Sequence, residues 1–352
     1  MGIPTLQKAR IGKYIISQML MNRRRFPLVL MLEPLFRCNL HCKGCGKVNH
    51  PPEVLRNQLS VEECVGAAEE CGAPVVSIAG GEPLLHPDIT TIVDELIRRK
   101  RFIYLCTNGL LVEKRFHDFS PSPYLTFNVH LDGMYEHHDL SVCHKGAFKK
   151  ATEAIRKLVG AGFRVTTNTT FFKGQTAESA GQLFDHLSSL GVEAMTVAAG
   201  FNYDSADDQD CFLGREGTKE LFRTILRQAK PSWTFNHSSL YLDFLAGNRD
   251  YTCTPCLYLD FLAGNRDYTC TPWGNPTRNQ FGWQRPCYLL NDGYVATYRE
   301  LIEDTDWDRY GVGRDPRCAD CMVHSGFEAS AVLDTVKHPW RALAVCLRGP
   351  GR

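Results

Sequence analysis

The chain has 352 residues, enough for one α/β barrel with an appendage or for two ordinary domains. Its 40 basic and 39 acidic residues nearly cancel, so bulk charge announces neither nucleic acid nor an acidic membrane surface, and recognition must be local. Fifteen cysteines are many for this length, and the first apolar segment, IGKYIISQMLM, is broken by Lys13, Ser17 and Gln18 and lacks a small-residue cleavage site. This points to a reducing cytoplasm, where clustered cysteines bind metal more often than they form disulfides. No run of about 18 apolar residues occurs, so no bilayer-spanning helix is expected.

Residues 1–27 read as an amphipathic helix with Ile11, Ile15, Ile16 and Met19 along one side and Lys8, Arg10, Lys13 and Arg23 to Arg25 elsewhere. Such a helix either rests on a membrane surface, as a peripheral contact, or covers one end of the fold. Residues 28–230 alternate β-rich runs (LVLMLEPL, PVVSIAGG, RFIYLC, YLTFNVHLDG, FRVTTNTTF, VEAMTVAAG) with helical stretches. Ser60 and Glu63 form a capping box with Gly72 closing the helix they open, and GAFKKATEAIRKLVGAG carries similar glycine punctuation. Six βα units predict a parallel sheet curling into a partial (β/α)6 TIM-like barrel, with ligands at the carboxyl ends of its strands. Residues 231–352 form a C-terminal extension. Within it LYLDFLAGNRDYTCTP occurs at Leu240–Pro255 and again at Leu257–Pro272, a 17-residue offset too short and too exact for a solenoid. It reads as one tandem duplication, with one copy forming a surface excursion.

The segment CNLHCKGC places Cys38, Cys42 and Cys45 just past the first strand. Three thiolates suit neither a four-ligand structural zinc site nor a disulfide, but they can hold three irons of a 4Fe–4S cluster and leave the fourth open. GGEP, Gly80, Gly81, Glu82 and Pro83, ends the second strand; its glycines allow close backbone approach, and Glu82 offers a carboxylate to an ammonium group.

The spacing C-x3-C-x2-C followed by GGEP resembles the radical S-adenosylmethionine (SAM) superfamily. The resemblance implies that the amino and carboxylate groups of SAM chelate the unique iron, that the GGEP segment holds the amino group, and that an electron from the cluster yields a 5'-deoxyadenosyl radical. The position before the third cysteine, usually aromatic in the superfamily, is Gly44 here. Other strand ends add Asn108 within CTNG, and His130, Asp132 and Asn168 as ribose candidates, each equally suited to a structural turn. Cys106 stands at the end of the third strand, where a thiol could donate hydrogen to a carbon radical or simply be a buried, inert cysteine.

In the extension, Cys270, Gly282 and Cys287 reproduce C-x(9–15)-G-x4-C, Asn291–Gly293 suggests a hairpin turn, and Cys318 and Cys321 form C-x2-C. This resembles the twitch, a small cysteine-containing α+β extension behind some radical SAM barrels. The four cysteines could hold a second 4Fe–4S cluster, zinc, or nothing.

Across MLEPLFRCNLHCKGCGK, VVSIAGGEPLLHP, HLDGMYEHHD, CTPWGNPTRNQFGWQRPCYLL and CADCMVH the chain resembles the adenosylhopane synthase family of hopanoid biosynthesis, which carries the duplicated segment once. The resemblance implies a transferase that adds the 5'-deoxyadenosyl radical to the alkene of diploptene and takes electrons from a flavodoxin or ferredoxin. Trp273, Phe281 and Trp283 are then expected to cap a dry barrel mouth, or else to be core. Two rivals share features: a twitch-type peptide or cofactor maturase, and an iron–sulfur electron carrier or redox sensor, although carriers normally saturate the cluster with four cysteines.

Overall fold

A computed structural model describes residues 3–201, 203–237, 242, 270–337 and 340. The duplicated segment falls almost wholly outside these residues, as do Cys253 and Cys256.

All six predicted strands form: β1 (Val29–Glu33), β2 (Val75–Ile78), β3 (Phe102–Thr107), β4 (Leu125–His130), β5 (Arg164–Phe171) and β6 (Ala194–Ala199). Each pairs in parallel with its sequence neighbour, so they lie in the order β6-β5-β4-β3-β2-β1. The connecting helices are α2 (Pro52–Arg56), α3 (Val61–Cys71), α4 (Ile89–Arg98), α5 (Val112–Arg115), α6 (Tyr135–Ser141), α7 (Ala147–Gly160), α8 (Ala177–Ser189) and α9 (Gly214–Arg227). The predicted capping box is present: Ser60 Oγ accepts from the Glu63 amide, Glu63 accepts from the Ser60 amide, and Gly72 ends α3 at φ 72°.

Strand alternation separates core from cavity. Leu30 and Leu32, Val76 and Ile78, Ile103 and Leu105, and Phe127 and Val129 are buried in the main hydrophobic core. Their neighbours Met31 and Glu33, Ser77, Tyr104 and Cys106, and Asn128 and His130 line the barrel interior. The outward set supplies stability, roughly 1.5–3 kcal/mol for each large side chain buried. The inward set, free of that duty, includes polar groups.

The extension continues the sheet. Three short strands, β7 (Thr277–Asn279), β8 (Gly282–Gln284) and β9 (Tyr294–Val295), follow β1; β7 is parallel to it and the next two are antiparallel. The Asn291–Gly293 segment does not make a tight hairpin turn. It closes a longer loop through reciprocal hydrogen bonds between the Arg285 and Gly293 regions, and that loop carries Cys287.

The N-terminal helix is shorter than expected, α1 (Thr5–Leu20), and its apolar residues do not share one face. Ile15 is buried against Phe26, Leu28 and Ala329, whereas Ile16 and Met19 are exposed, because successive helical residues point about 100° apart. The helix covers the amino-terminal end of the strands: Gln7 Nε2 donates to Tyr104 Oη at 3.2 Å, and Arg10 stacks over Tyr124. Beside it runs α11 (His324–Lys337), counting α10 as Tyr298–Glu303.

Candidate active site

A cavity of about 770 Å³ occupies the barrel, from the cysteine loop at the carboxyl end of the sheet down to α1 and α11. Cys38, Cys42, Cys45, Gly80, Gly81, Glu82, Cys106, Asn108, His130, Asp132 and Asn168 all line it. Pro83 does not; it starts a short 3-10 turn that shapes the loop below Glu82.

The GGEP turn is built for close contact. A Cβ at Gly81 would overlap the carbonyl oxygen of Arg37, and Gly80 has φ 100° with no room beside the Leu35 carbonyl. Gly81→Ala is therefore expected to cost about 3 kcal/mol or more in denaturant unfolding; an unchanged midpoint would contradict this packing. Glu82 is buried, with Oε1 accepting from Leu84 N (3.1 Å) and Thr107 Oγ1 (2.8 Å), and Oε2 from Asn108 N (2.8 Å). Burial pushes it up to about 7 despite those bonds.

His130 and Asn168 are register partners across β4 and β5. Asp132 is already occupied: Oδ2 bonds His130 Nε2 (2.9 Å) and Ser141 Oγ (3.0 Å), and Oδ1 accepts from Thr170 N (2.9 Å). Its bond to Nε2 orients His130. Burial alone would lower the His130 pKa, but the Asp132 charge outweighs this and the net shift is upward. Asn108 Nδ2 reaches Asn39 Oδ1 at 2.8 Å and Cys38 Sγ at 3.8 Å, tying β3 to the cysteine loop.

Cys106 lies inside the barrel, with its sulfur 3.5 Å from Ser77 Oγ and 3.5 Å from Asn128 Nδ2. Burial raises its pKa, so at neutral pH it is an S–H group open to the cavity. Burial likewise raises Cys38 to about 11 and shifts Cys42 and Cys45 upward. Three thiolates so close need a positive partner, which iron would supply. Among the described residues no three His, Cys, Asp or Glu side chains converge as one ion requires.

In the extension, Cys270, Cys287, Cys318 and Cys321 line one small cavity of about 30 Å³. Arg317 holds the loops together, bonding Asp292 (2.6 and 2.8 Å) on the Cys287 loop and Asp315 (2.7 Å) beside Cys318. Phe201, Leu289 and Val323 line both cavities, so one layer of side chains separates them.

Trp273, Phe281 and Trp283 do not cap the large cavity. Trp273 packs on Phe26, Trp283 is buried with Nε1 on Glu70, and Phe281 packs between Phe36, His50 and Tyr294. Two features of the site are not evident from residue pattern alone. Lys47 Nζ lies 2.8 Å from Glu33 Oε2, both lining the cavity; burial disfavours the lysine charge, but Glu33 reverses that and raises its pKa. The signal was a lone carboxylate ending an apolar strand. The other is Phe172, whose ring edge lies 2.6 Å from where a Cβ on Gly44 would stand. The missing aromatic before the third cysteine is matched by a ring from the end of β5 that occupies its space.

Residues 32–187 match the family model described as the radical SAM superfamily. The barrel belongs to the radical SAM superfamily. A second model, a domain of unknown function (DUF3463), matches residues 195–257 and again 256–345, the break falling where the second copy of the duplicated segment begins. The chain is 25% identical over 185 residues to a GTP 3',8-cyclase 1 of Mycobacterium tuberculosis, covering 49% of this chain and 52% of the relative. It is 25% identical over 178 residues to a PqqA peptide cyclase of Streptomyces rochei, covering 49% of this chain and 48% of the relative. The chain thus spans about half the length of the curated relatives it matches. Among solved structures it resembles Streptococcus suis SuiB bound to the precursor peptide SuiA (TM-score 0.63, 17% identity, 95% of this chain and 77% of that one). It also resembles anSMEcpe with bound AdoMet and a peptide (TM-score 0.54, 16% identity, 92% and 99%). At these identities the structures speak for a shared fold, barrel and extension together. These relatives carry cyclase and peptide-related names.

Proposed function

We propose that this radical SAM enzyme is an adenosylhopane synthase, joining the 5'-deoxyadenosyl group of SAM to the terminal alkene of diploptene. One observation carries the reading. The cavity next to the three cysteines continues down the barrel past Cys106 into a space lined by Ile11, Ile15, Val332 and Val336. A compact hydrocarbon suits that lining, and the volume lies in the range of small-molecule sites.

In this reading Cys38, Cys42 and Cys45 hold a 4Fe–4S cluster. When bound, the cluster supplies one electron to SAM, leaving methionine and a 5'-deoxyadenosyl radical in the cavity. Glu82 receives the SAM ammonium, His130 and Asn168 face the ribose, and Phe172 covers the adenine in place of a side chain at position 44. Bond formation to the alkene terminus leaves a tertiary carbon radical on the hydrocarbon. Cys106 gives it a hydrogen atom and is restored from its thiyl form by one electron and one proton. The sum is SAM, alkene, two electrons and one proton giving adduct and methionine; a flavodoxin or ferredoxin is the proposed electron source. Cys270, Cys287, Cys318 and Cys321 are the proposed ligands of a second 4Fe–4S cluster.

The role given to Glu82 has a pH signature. An ammonium beside it favours the ionised carboxylate, so SAM affinity should fall by about tenfold as pH drops from 8 to 6, through the apo pKa. Glu82→Gln should weaken binding at pH 8 and flatten the profile in equilibrium binding; a flat wild-type profile would remove Glu82 from the ammonium contact.

A second reading, a peptide or cofactor maturase, draws on the names of the relatives, among them a peptide cyclase and a structure with a precursor peptide. Both readings expect slow 5'-deoxyadenosine release from SAM and a reductant under anaerobic conditions. Adding diploptene should divert that product into an adenosyl-hydrocarbon adduct detected by mass spectrometry. Undiminished 5'-deoxyadenosine with no adduct would remove the hydrocarbon assignment and favour the second reading.

A further inference from the structure

The outward side of α1 carries several exposed apolar side chains beside its lysines. Ile16 is 53% exposed and Leu20 83%, with Leu6, Met19 and Met21 beside them. The first 32 residues contain Lys8, Arg10, Lys13, Arg23, Arg24 and Arg25 and no aspartate or glutamate. Lys8, Lys13 and the three arginines are exposed. Lys100, ahead of β3 at the same end of the barrel, is also exposed, while Arg98 and Arg99 nearby are paired with Glu95 and Glu69. Exposed leucine and isoleucine flanked by the basic side chains of the same segment match the interface of an anionic bilayer, where apolar side chains enter the acyl boundary and cations meet headgroups. A protein partner of similar hydrophobicity would not require so one-sided a charge.

The opposite face of the same helix is the cavity wall. Ile3, Gln7, Ile11 and Ile15 line the cavity, and Ile11, Ile15 and Tyr14 pack against Val332, Leu333 and Val336 of α11. A side-chain layer of α1 therefore stands between the exposed apolar stripe and the interior space.

We propose that the exposed face of α1, together with Arg23 to Arg25, docks on an anionic lipid bilayer, and that an apolar substrate enters between α1 and α11 at the amino-terminal end of the barrel. The docking stands on the helix itself; the entry route rests on the hydrocarbon reading above. SAM and the cysteine loop occupy the opposite end, so the water-soluble and the lipid substrates approach from opposite sides. The barrel then spans the distance between membrane and cluster.

The test is co-sedimentation of the full chain with vesicles of phosphatidylcholine alone or mixed with phosphatidylglycerol. Wild type should pellet with the anionic vesicles and be released by high salt. Ile16→Glu with Leu20→Glu, both at exposed positions, should weaken partitioning by at least about tenfold, while 5'-deoxyadenosine formation in solution is retained. Wild type remaining in the supernatant, or the double variant pelleting equally, would overturn the docking face. If wild type pellets but no adduct forms from diploptene, the docking stands and the hydrocarbon reading fails. If the double variant binds vesicles poorly yet converts vesicle-borne diploptene at the wild-type rate, the entry route is overturned; loss of turnover from vesicles, with turnover kept in detergent, supports it.

Discussion

Replacing Cys106 with serine should leave SAM cleavage running while adduct formation falls by about a hundredfold or more. The thiol is held by Ser77 and Asn128 inside the barrel, and burial keeps it protonated. A serine fits the same space and keeps the hydrogen bonds, but its O–H bond is too strong to give a hydrogen atom to a tertiary carbon radical. SAM cleavage, read as methionine, is therefore expected to continue, while the adenosyl-hydrocarbon radical, without its thiol donor, is reduced only slowly by one electron from the reductant and one solvent proton. Anaerobic turnover followed by mass spectrometry reads both species at once. A variant that makes adduct at the wild-type rate would make Cys106 an ordinary buried cysteine.

Losing one thiol of the cysteine loop should be more severe. Cys42→Ala is expected to lower SAM cleavage by about a thousandfold or more, because removing a ligand does more than the 10–100-fold loss seen when only its supporting partner is removed. Iron analysis separates the two proposed clusters. Reconstituted wild type should carry about eight irons per chain, and Cys42→Ala and Cys318→Ala about four each. The Cys318 variant should retain SAM cleavage if its cluster is auxiliary. Cys42→Ala with full cleavage activity would break the assignment of the loop.

The barrel was legible because its strands are buried parallel runs bounded by turn signals, and because caps such as Ser60, Glu63 and Gly72 act locally. The three-residue β7 and β8 were not, since no period can show in so short a segment; they pair with β1 and with each other only through tertiary placement. The cysteine loop and GGEP turn were legible for the same local reason, as the glycines next to Arg37 and Leu35 have little choice of residue. Residue type could not tell which aromatics face the cavity: Trp283 reads like a cap and is core, whereas Phe172 reads like strand end and fills the space at Gly44. The Lys47–Glu33 pair brings together groups 14 residues apart, and no periodicity announces it. Along α1, a cluster of isoleucines suggested one apolar face, but a 100° step sends Ile15 inward and Ile16 outward.

The most direct measurement is turnover of the reconstituted protein with SAM, a reductant and diploptene in deuterated water, with the product weighed by mass spectrometry. An adenosyl-hydrocarbon adduct carrying one non-exchangeable deuterium is expected, delivered by the exchangeable Cys106 thiol. No adduct, or an adduct without that deuterium, would contradict radical addition completed by a cavity thiol.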